Sequence, residues 1–365
     1  MKRLILLALL SFGLTSTLDA AHHAQKFTTG TPDYGSLGTL SFGPENVLFI
    51  GDSQNGQILA IRVNDGEATM GEFEVVDIDE KIAAMVGTRA RDVQIHDMAV
   101  NPASGFAYLS VARGNEDILM RALPNGNVEH VPLENVSYAM KSLSSVVSKE
   151  KKNRRGRSLR REAITDLVFS NGELYVAGLS NEEFSSTLRI LAYPFDKKEK
   201  ATSVEIFHAA HGRYETNSPI RTLMAYNLAK VPHVLAAYTC TPLVTFPTEQ
   251  LIDGGHVKGT TVAELGSNNR PLDMIGYTRE GKDYILLANS NRTLMRLDPA
   301  EIAAAQDEGI TTEVEGRYES AGVEYVAIAQ VGVQQVDNLN DDHILVLQRM
   351  SNGSLNLRSL PKRRL

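Results

Sequence analysis

An apolar, β-forming run that ends in polar or turn-forming residues recurs along the chain. Its copies are "NVLFIGDSQ", "FAYLSVARG", "ELYVAGLSN", "HVLAAYTCT", "DYILLANSN" and "HILVLQRMS". Each copy is preceded by a second such run ("LGTLSF", "IHDMAV", "ITDLVF", "IRTLMA", "LDMIGY", "VDNLN") and followed by a third ("QILAIRV", "DILMRAL", "STLRILAYPF", "PLVTFP", "TLMRLDP", "SLNLRSL"). Weaker fourth runs, "GEFEVVDI", "NVEHVPL" and "TSVEIFH", follow several of them. Aligning the leading runs brings Thr39, Asp97, Asp166, Thr222, Asp273 and Asn338 together, at steps of 58, 69, 56, 51 and 65 residues. A small antiparallel sheet cannot hide both of its faces alone, so repeated sheets must cover one another around an axis. The expectation is an all-β fold, a six-bladed β-propeller. An opening strand in "GVEYVAIAQVGVQ" would make it seven. The final unit lacks an outer strand, which the N-terminal "AQKFTTG" would supply, closing the ring and removing an open edge.

The rest of the chain fits around this body. Residues 1–21 carry Lys2 and Arg3, an apolar run from Leu4 to Leu14, then small residues, the design of a secretory signal. The run is shorter than the ~20 residues that span a bilayer, and no later segment resembles a span. The expected mature chain, 22–365, is one propeller domain, exported to a periplasmic or extracellular space. Its single cysteine, Cys240, forms no intrachain disulfide and reads as a small buried residue at a strand end. Tryptophan is absent, which argues against blades locked by a recurring tryptophan. "DIDEKIAAMVG" and "DPAEIAAAQDEG" have aspartate before an alanine-rich run and glycine after it, which predicts two short helices. "LENVSYAMKSLSSVVSKEKK" is expected to form a longer one.

"IHDMAVNPASGFAYLSVARG" and "ITDLVFSNGELYVAGLS" resemble exported propellers of the YVTN and NHL-like superfamily, and the likeness covers most of the mature chain. It implies the fold and leaves activity open, because that superfamily includes scaffolds, ligand binders and metal-dependent hydrolases.

Innermost propeller strands surround a channel, so the aligned positions are expected at its mouth. Three carboxylates about 8 Å apart repel by about 2 kcal/mol per pair at an effective dielectric near 20, which favours protonation or a cation. Asp97, Asp166, Asp273 and Asn338 are therefore candidate Ca²⁺ ligands, as hydroxyl, amide and carboxylate oxygens suit that ion. The architecture is similar to six-bladed lactonases and phosphotriesterases, and on that likeness His96 or His211 would act as base. The alternative is internal balance, with Arg221 or His96 offsetting the charge and each aspartate accepting backbone hydrogen bonds from the next blade. In "FHAAHGRYETNSPIR", His208, His211 and Glu215 have spacing suited to a transition metal. His211, Glu215 and Arg221 are also expected to border a ligand pocket, joined by Glu264 and Asn268 of "VAELGSNNRP". His23 would bind Cu²⁺ or Ni²⁺ if cleavage left it third in the mature chain. No haem, nucleotide or quinone motif occurs.

The insertion 148–162, "SKEKKNRRGRSLRRE", sets eight basic residues against two acidic ones in a chain whose net charge is −7. It is expected to be solvated, and segment 149–161 to dock an anionic surface. A nucleic-acid partner is not expected, because the remainder is acidic and no aromatic residues interleave with the basic ones. The leading functional reading is a non-catalytic module that binds a small ligand or protein partner at the channel mouth. A calcium-dependent hydrolase and an accessory subunit of a periplasmic redox enzyme are the alternatives.

Overall fold

A computed structural model describes residues 27–66, 71–114, 116–316 and 318–365. The expected signal, residues 1–21, and the "AHH" that follows it lie outside the described residues. Among the described residues no helix is long and apolar enough to cross a membrane.

The strands form six sheets, each led by one of the aligned runs and antiparallel except where Lys200–His208 also pairs in parallel with His256–Lys258. In chain order the leading strands are Leu40–Phe42, Val93–Val100, Asp166–Ser170, Ile220–Leu228, Pro271–Arg279 and Val333–Asn338. We number the blades one to six in that order. Middle strands are buried on both sides, which explains their near-continuous apolar runs. In Val47–Asp52, for example, Val47 and Phe49 pack toward the third blade, while Leu48 and Ile50 pack toward the second. An apolar cluster fills each of the six junctions between neighbouring sheets. Burying these faces is the main source of stability in a fold without disulfides.

The clusters also reveal an order around the axis that differs from chain order. The first blade packs on the second and on the third, and the second packs on the sixth, so the circuit runs 1-3-4-5-6-2. The backbone explains why. After three strands of the first blade, the chain crosses to the sixth and adds Glu74–Val75 beside Leu355–Pro361. It then forms helix Ile78–Val86, builds the second blade, and returns to complete the first with Val136–Ser142.

Two expectations change here. The sixth blade is closed by an early segment, but by Glu74–Val75 and not by the stretch around "AQKFTTG". Thr28–Gly30 pairs instead with Val136–Ser142 on the outside of the first blade. The long helix expected over 133–152 is replaced by that same strand. The unpaired edge of Gln57–Arg62 offers six partners in register, and sheet pairing overrides a modest helical preference. The candidate seventh blade also resolves: Val326–Ile328 is the outer strand of the fifth, and Val333 already belongs to the sixth. The two short helices form, at Ile78–Val86 and Pro299–Ala304, the second capped by the Asp298 side chain accepting from the Ala300 amide.

Phe73 anchors the closing segment. It is 2% exposed, its amide donates to Ser359 Oγ at 2.8 Å, and its carbonyl accepts from the Ser359 amide at 3.0 Å. Phe73→Ala should therefore destabilise the protein by about 3–5 kcal/mol, the usual range for a buried phenylalanine. Denaturant unfolding measures this, and a loss below about 1 kcal/mol would mean the segment does not close the ring.

Candidate functional site

The aligned aspartates do converge on the axis. Asp97, Asp166 and Asp273 line a central cavity of about 260 Å³ together with Asp337. Each makes the same pair of contacts. One oxygen accepts from the amide that follows it, and the other accepts at 2.7 Å from an amide of the adjacent blade: Leu40 for Asp97, Leu223 for Asp166, Val336 for Asp273 and Val100 for Asp337. These four links run in one direction around the circuit. A bulge just before Asp97, Thr222 and Asp273 aims the strand inward, and the same bulge precedes Gln335. The register equivalent in the sixth blade is thus Gln335, the ring carboxylate there is Asp337, and the Asn338 side-chain Nδ2 donates to the Gly276 carbonyl at 2.8 Å.

The four carboxylates are half-buried in the wall of this narrow channel, and desolvation is the main force on their titration. Burial pushes Asp166 up to about 7 and Asp337 up to about 6, against the lowering effect of their amide donors. Asp97 and Asp273 are raised well above the ordinary value, first by burial and then by the charges of the other ring members.

A wider cavity of about 640 Å³ opens above the ring. Its walls include the loop Gly35–Thr39, His96, Asp117, Arg157, Arg161, Glu162, Arg221 and Arg270. His96 lies 3.6 Å from Asp117, whose other oxygen accepts from the Leu37 amide at 2.9 Å. Arg221 donates to Thr239 Oγ1 at 3.0 Å and meets Glu162 at 3.3 Å. Burial and the nearby charge of Arg221 hold Arg270 below its ordinary value, partly offset by Glu162. Gly178 lets the segment around Ala163 lie close over the third blade, since a Cβ there would collide with the Ala163 carbonyl.

The basic insertion is not a free loop. Arg160 pins it, donating to the Gln54 carbonyl at 3.2 Å and the Val147 carbonyl at 2.8 Å. That anchor places Arg157 and Arg161 at the mouth. Four arginines thus face two carboxylates, Asp117 and Glu162, in one concave site.

The other expected residues sit elsewhere. Glu215 and His211 form a separate cluster with His208. Burial raises Glu215, but hydrogen bonds from His208, Ser218 and His211 outweigh it and hold the carboxyl well below the usual range. Glu264 is fully buried, accepts from the Ala210 amide at 3.3 Å, and is pushed up to about 7 by burial. Asn268 is exposed in a left-handed turn, its carbonyl accepting from Asn291 at 2.7 Å. Of the sequence candidates, His96 and Arg221 therefore reach the mouth. Arg270, Arg157, Arg161, Asp117 and Glu162 were not singled out as lining residues. A usable signal existed for Arg270, which precedes a leading strand as His96 and Arg221 precede the aligned positions of theirs.

No family model matches the chain, and no curated protein matches it. Several solved structures align with most of its length at low similarity. The extracellular domains 1–2 of Drosophila Semaphorin 1b align at 8% identity over 92% of this chain and 87% of that one, with a TM-score of 0.39. A Thermus thermophilus protein described as a glucose dehydrogenase-type oxidoreductase aligns at 13% identity over 92% and 100%, with a TM-score of 0.35. The PQQ-bound aldose sugar dehydrogenase of Streptomyces coelicolor aligns at 10% identity over 92% and 98%, with a TM-score of 0.36. These distant likenesses carry nothing about activity. The six-bladed assignment rests on the sheets themselves.

The raised ring carboxylates set a pH dependence. A group whose folded pKa exceeds its unfolded value stabilises the fold fully below the unfolded value, and that contribution is lost as pH rises through the folded one. For Asp166 the window runs from about 3.8 to about 7. Stability should fall across that interval, and Asp166→Asn should flatten the slope. Denaturant midpoints measured from pH 4 to pH 8 test this; stability that rises over the window in the wild type would contradict it.

Proposed function

We propose that the protein is an exported binding module that takes a small anionic ligand, bearing carboxylate or phosphate groups, at the channel mouth. One observation supports this above others: Arg157, Arg161, Arg221 and Arg270 converge on a cavity of about 640 Å³ that holds only two opposing carboxylates. That volume suits a small molecule. Guanidinium groups present a planar fork that matches carboxylate and phosphate oxygens, and a concave setting strengthens the attraction. Among the described residues the guanidinium groups of Arg157, Arg161 and Arg270 make no hydrogen bond or ion pair, and the Arg157 and Arg270 bonds are backbone ones, so these side-chain donors are available. Export is part of the same proposal and is supported by the leader-like residues 1–21.

A calcium site built from Asp97, Asp166 and Asp273 is less favoured. The ion would have to compete with the two amide donors that each of these carboxylates already accepts.

Calorimetric titration with a panel of di- and tricarboxylates and phosphate esters tests the proposal. Binding should weaken with added salt. Arg270→Ala and Arg221→Ala should each cost about tenfold or more in affinity, the scale of a lost charged hydrogen bond. Arg154→Ala and Arg155→Ala, outside the cavity, should leave affinity unchanged. Failure of every anion in the panel to bind, or binding that survives the Arg221 and Arg270 changes, would overturn the assignment.

A further inference from the structure

Beside the mouth, a second constellation has the chemistry of a metal centre. One ring nitrogen of His208, one of His211 and the Sγ of Cys240 lie within 4.8 Å of one another. Sequence spacing had grouped the two histidines with Glu215 as the third ligand. The structure instead puts Glu215 behind the rings. Its Oε2 contacts His208 Nδ1 at 3.1 Å and its Oε1 contacts His211 Nδ1 at 2.8 Å. With both Nδ1 atoms committed to the carboxylate, the Nε2 atoms are the nitrogens left for a ligand. The rings lie side by side, with centroids 3.9 Å apart.

A further observation points to a ligand there. His208 is 3% exposed, and its Nε2 is buried with no hydrogen-bond partner. Buried polar atoms are almost always satisfied, so an orphan of this kind marks a site that something completes. Cys240 and Thr241 both take left-handed backbone conformations, with φ of 68° and 67°, as Glu45–Asn46 and Ala229–Lys230 do at other turns of this chain. That turn is held by the Cys240 amide donating to the Asn269 carbonyl at 2.8 Å and by Thr241 Oγ1 donating to the Gly266 carbonyl at 2.8 Å. The effect of the turn is to bring the thiol near the two histidines.

We propose that His208 Nε2, His211 Nε2 and Cys240 Sγ bind a zinc ion, with a fourth position open to solvent. Two imidazoles and a thiolate suit this borderline-soft cation, and three protein ligands with one open position form a recognised zinc arrangement. Tetrahedral bonds of usual length place such donor atoms roughly 3.3–3.6 Å apart, so the cluster needs only a small contraction. His211, whose side chain is 42% exposed, and half-buried Cys240 are free to supply it. Glu215 is a positioning residue: it fixes the tautomer of both rings and raises their basicity, as carboxylates behind zinc-bound histidines do.

The test uses tag-free, reduced, full-length protein equilibrated with Zn²⁺ alone and then desalted. One zinc per chain should be retained, and the ion should protect Cys240 from a thiol reagent until chelator is added. Cys240→Ala and His211→Ala should each abolish retention, with circular dichroism confirming that the variants fold. Glu215→Gln should keep the stoichiometry but weaken affinity by about 10–100-fold. Co²⁺ in place of zinc should give a thiolate charge-transfer band that Cys240→Ala lacks. Zinc lost on desalting from wild-type protein, or retained unchanged in both the Cys240 and His211 variants, would overturn the proposal.

Discussion

The fold depends on a carboxylate that grips two amides belonging to two different blades. Inner strands sit where sheets converge and where side chains have least room, so apolar packing alone fixes their angular position poorly. Asp97, Asp166, Asp273 and Asp337 supply a directional link at four of the six junctions. A charge-assisted hydrogen bond is worth more than a neutral one, and leaving a buried amide unpaired costs free energy besides. Placing four carboxylates around one channel has a cost: burial raises the proton affinity of each, and the charges of other ring members raise Asp97 and Asp273 further. The positions occupied by Thr39 and Thr222 limit that cost to four charges. At the junction beyond Thr39, Ser41 Oγ takes over by accepting from the Phe169 amide at 3.1 Å.

Closure follows a different logic. The first, second and sixth blades share their backbone: the second stands between two visits to the first, and a strand from the same excursion completes the sixth. The fourth and fifth blades are crossed in the same way, with Ala321–Gly322 returning from the fifth to pair with Thr260–Glu264, and the third and fourth are joined by parallel pairing of Lys200–His208 with His256–Lys258. Apolar burial is cooperative but non-directional. The crossed backbone and the aspartate links contribute the directionality that it lacks.

Period and composition made the blades legible before any coordinates. All six leading strands, their alignment and the convergence of Asp97, Asp166 and Asp273 followed from runs that a reader can mark by eye. The interleaving of the first, second and sixth blades was not legible, because strand pairing is a long-range choice and "NVSYAMKS" carries no mark of which edge it will meet. Aligning by type also misled at the sixth blade, where a bulge shifts the register and Asp337 serves in place of the aligned Asn338. The mouth was half visible: His96 and Arg221 stand beside aligned positions, but the reach of Arg157 and Arg161 depends on where Arg160 anchors the insertion. Cys240 could not be paired with histidines about thirty residues away until two separate connections were seen to meet.

The vertical order of charge decides where a ligand can rest. Arginines occupy the mouth and carboxylates the channel beneath, so an anion is attracted as it arrives and repelled if it goes deeper. The mouth is thereby a seat and not the entrance to a tunnel. Arg221 belongs to both parts of this face: its guanidinium meets Glu162 across the mouth, and its Nε donates to Thr239, the residue before Cys240. A ligand that draws Arg221 toward itself would therefore pull on the same turn that presents the thiol. Were the mouth to take an anion and the cluster a metal, the hydrogen bond from Arg221 to Thr239 would be the contact that links them.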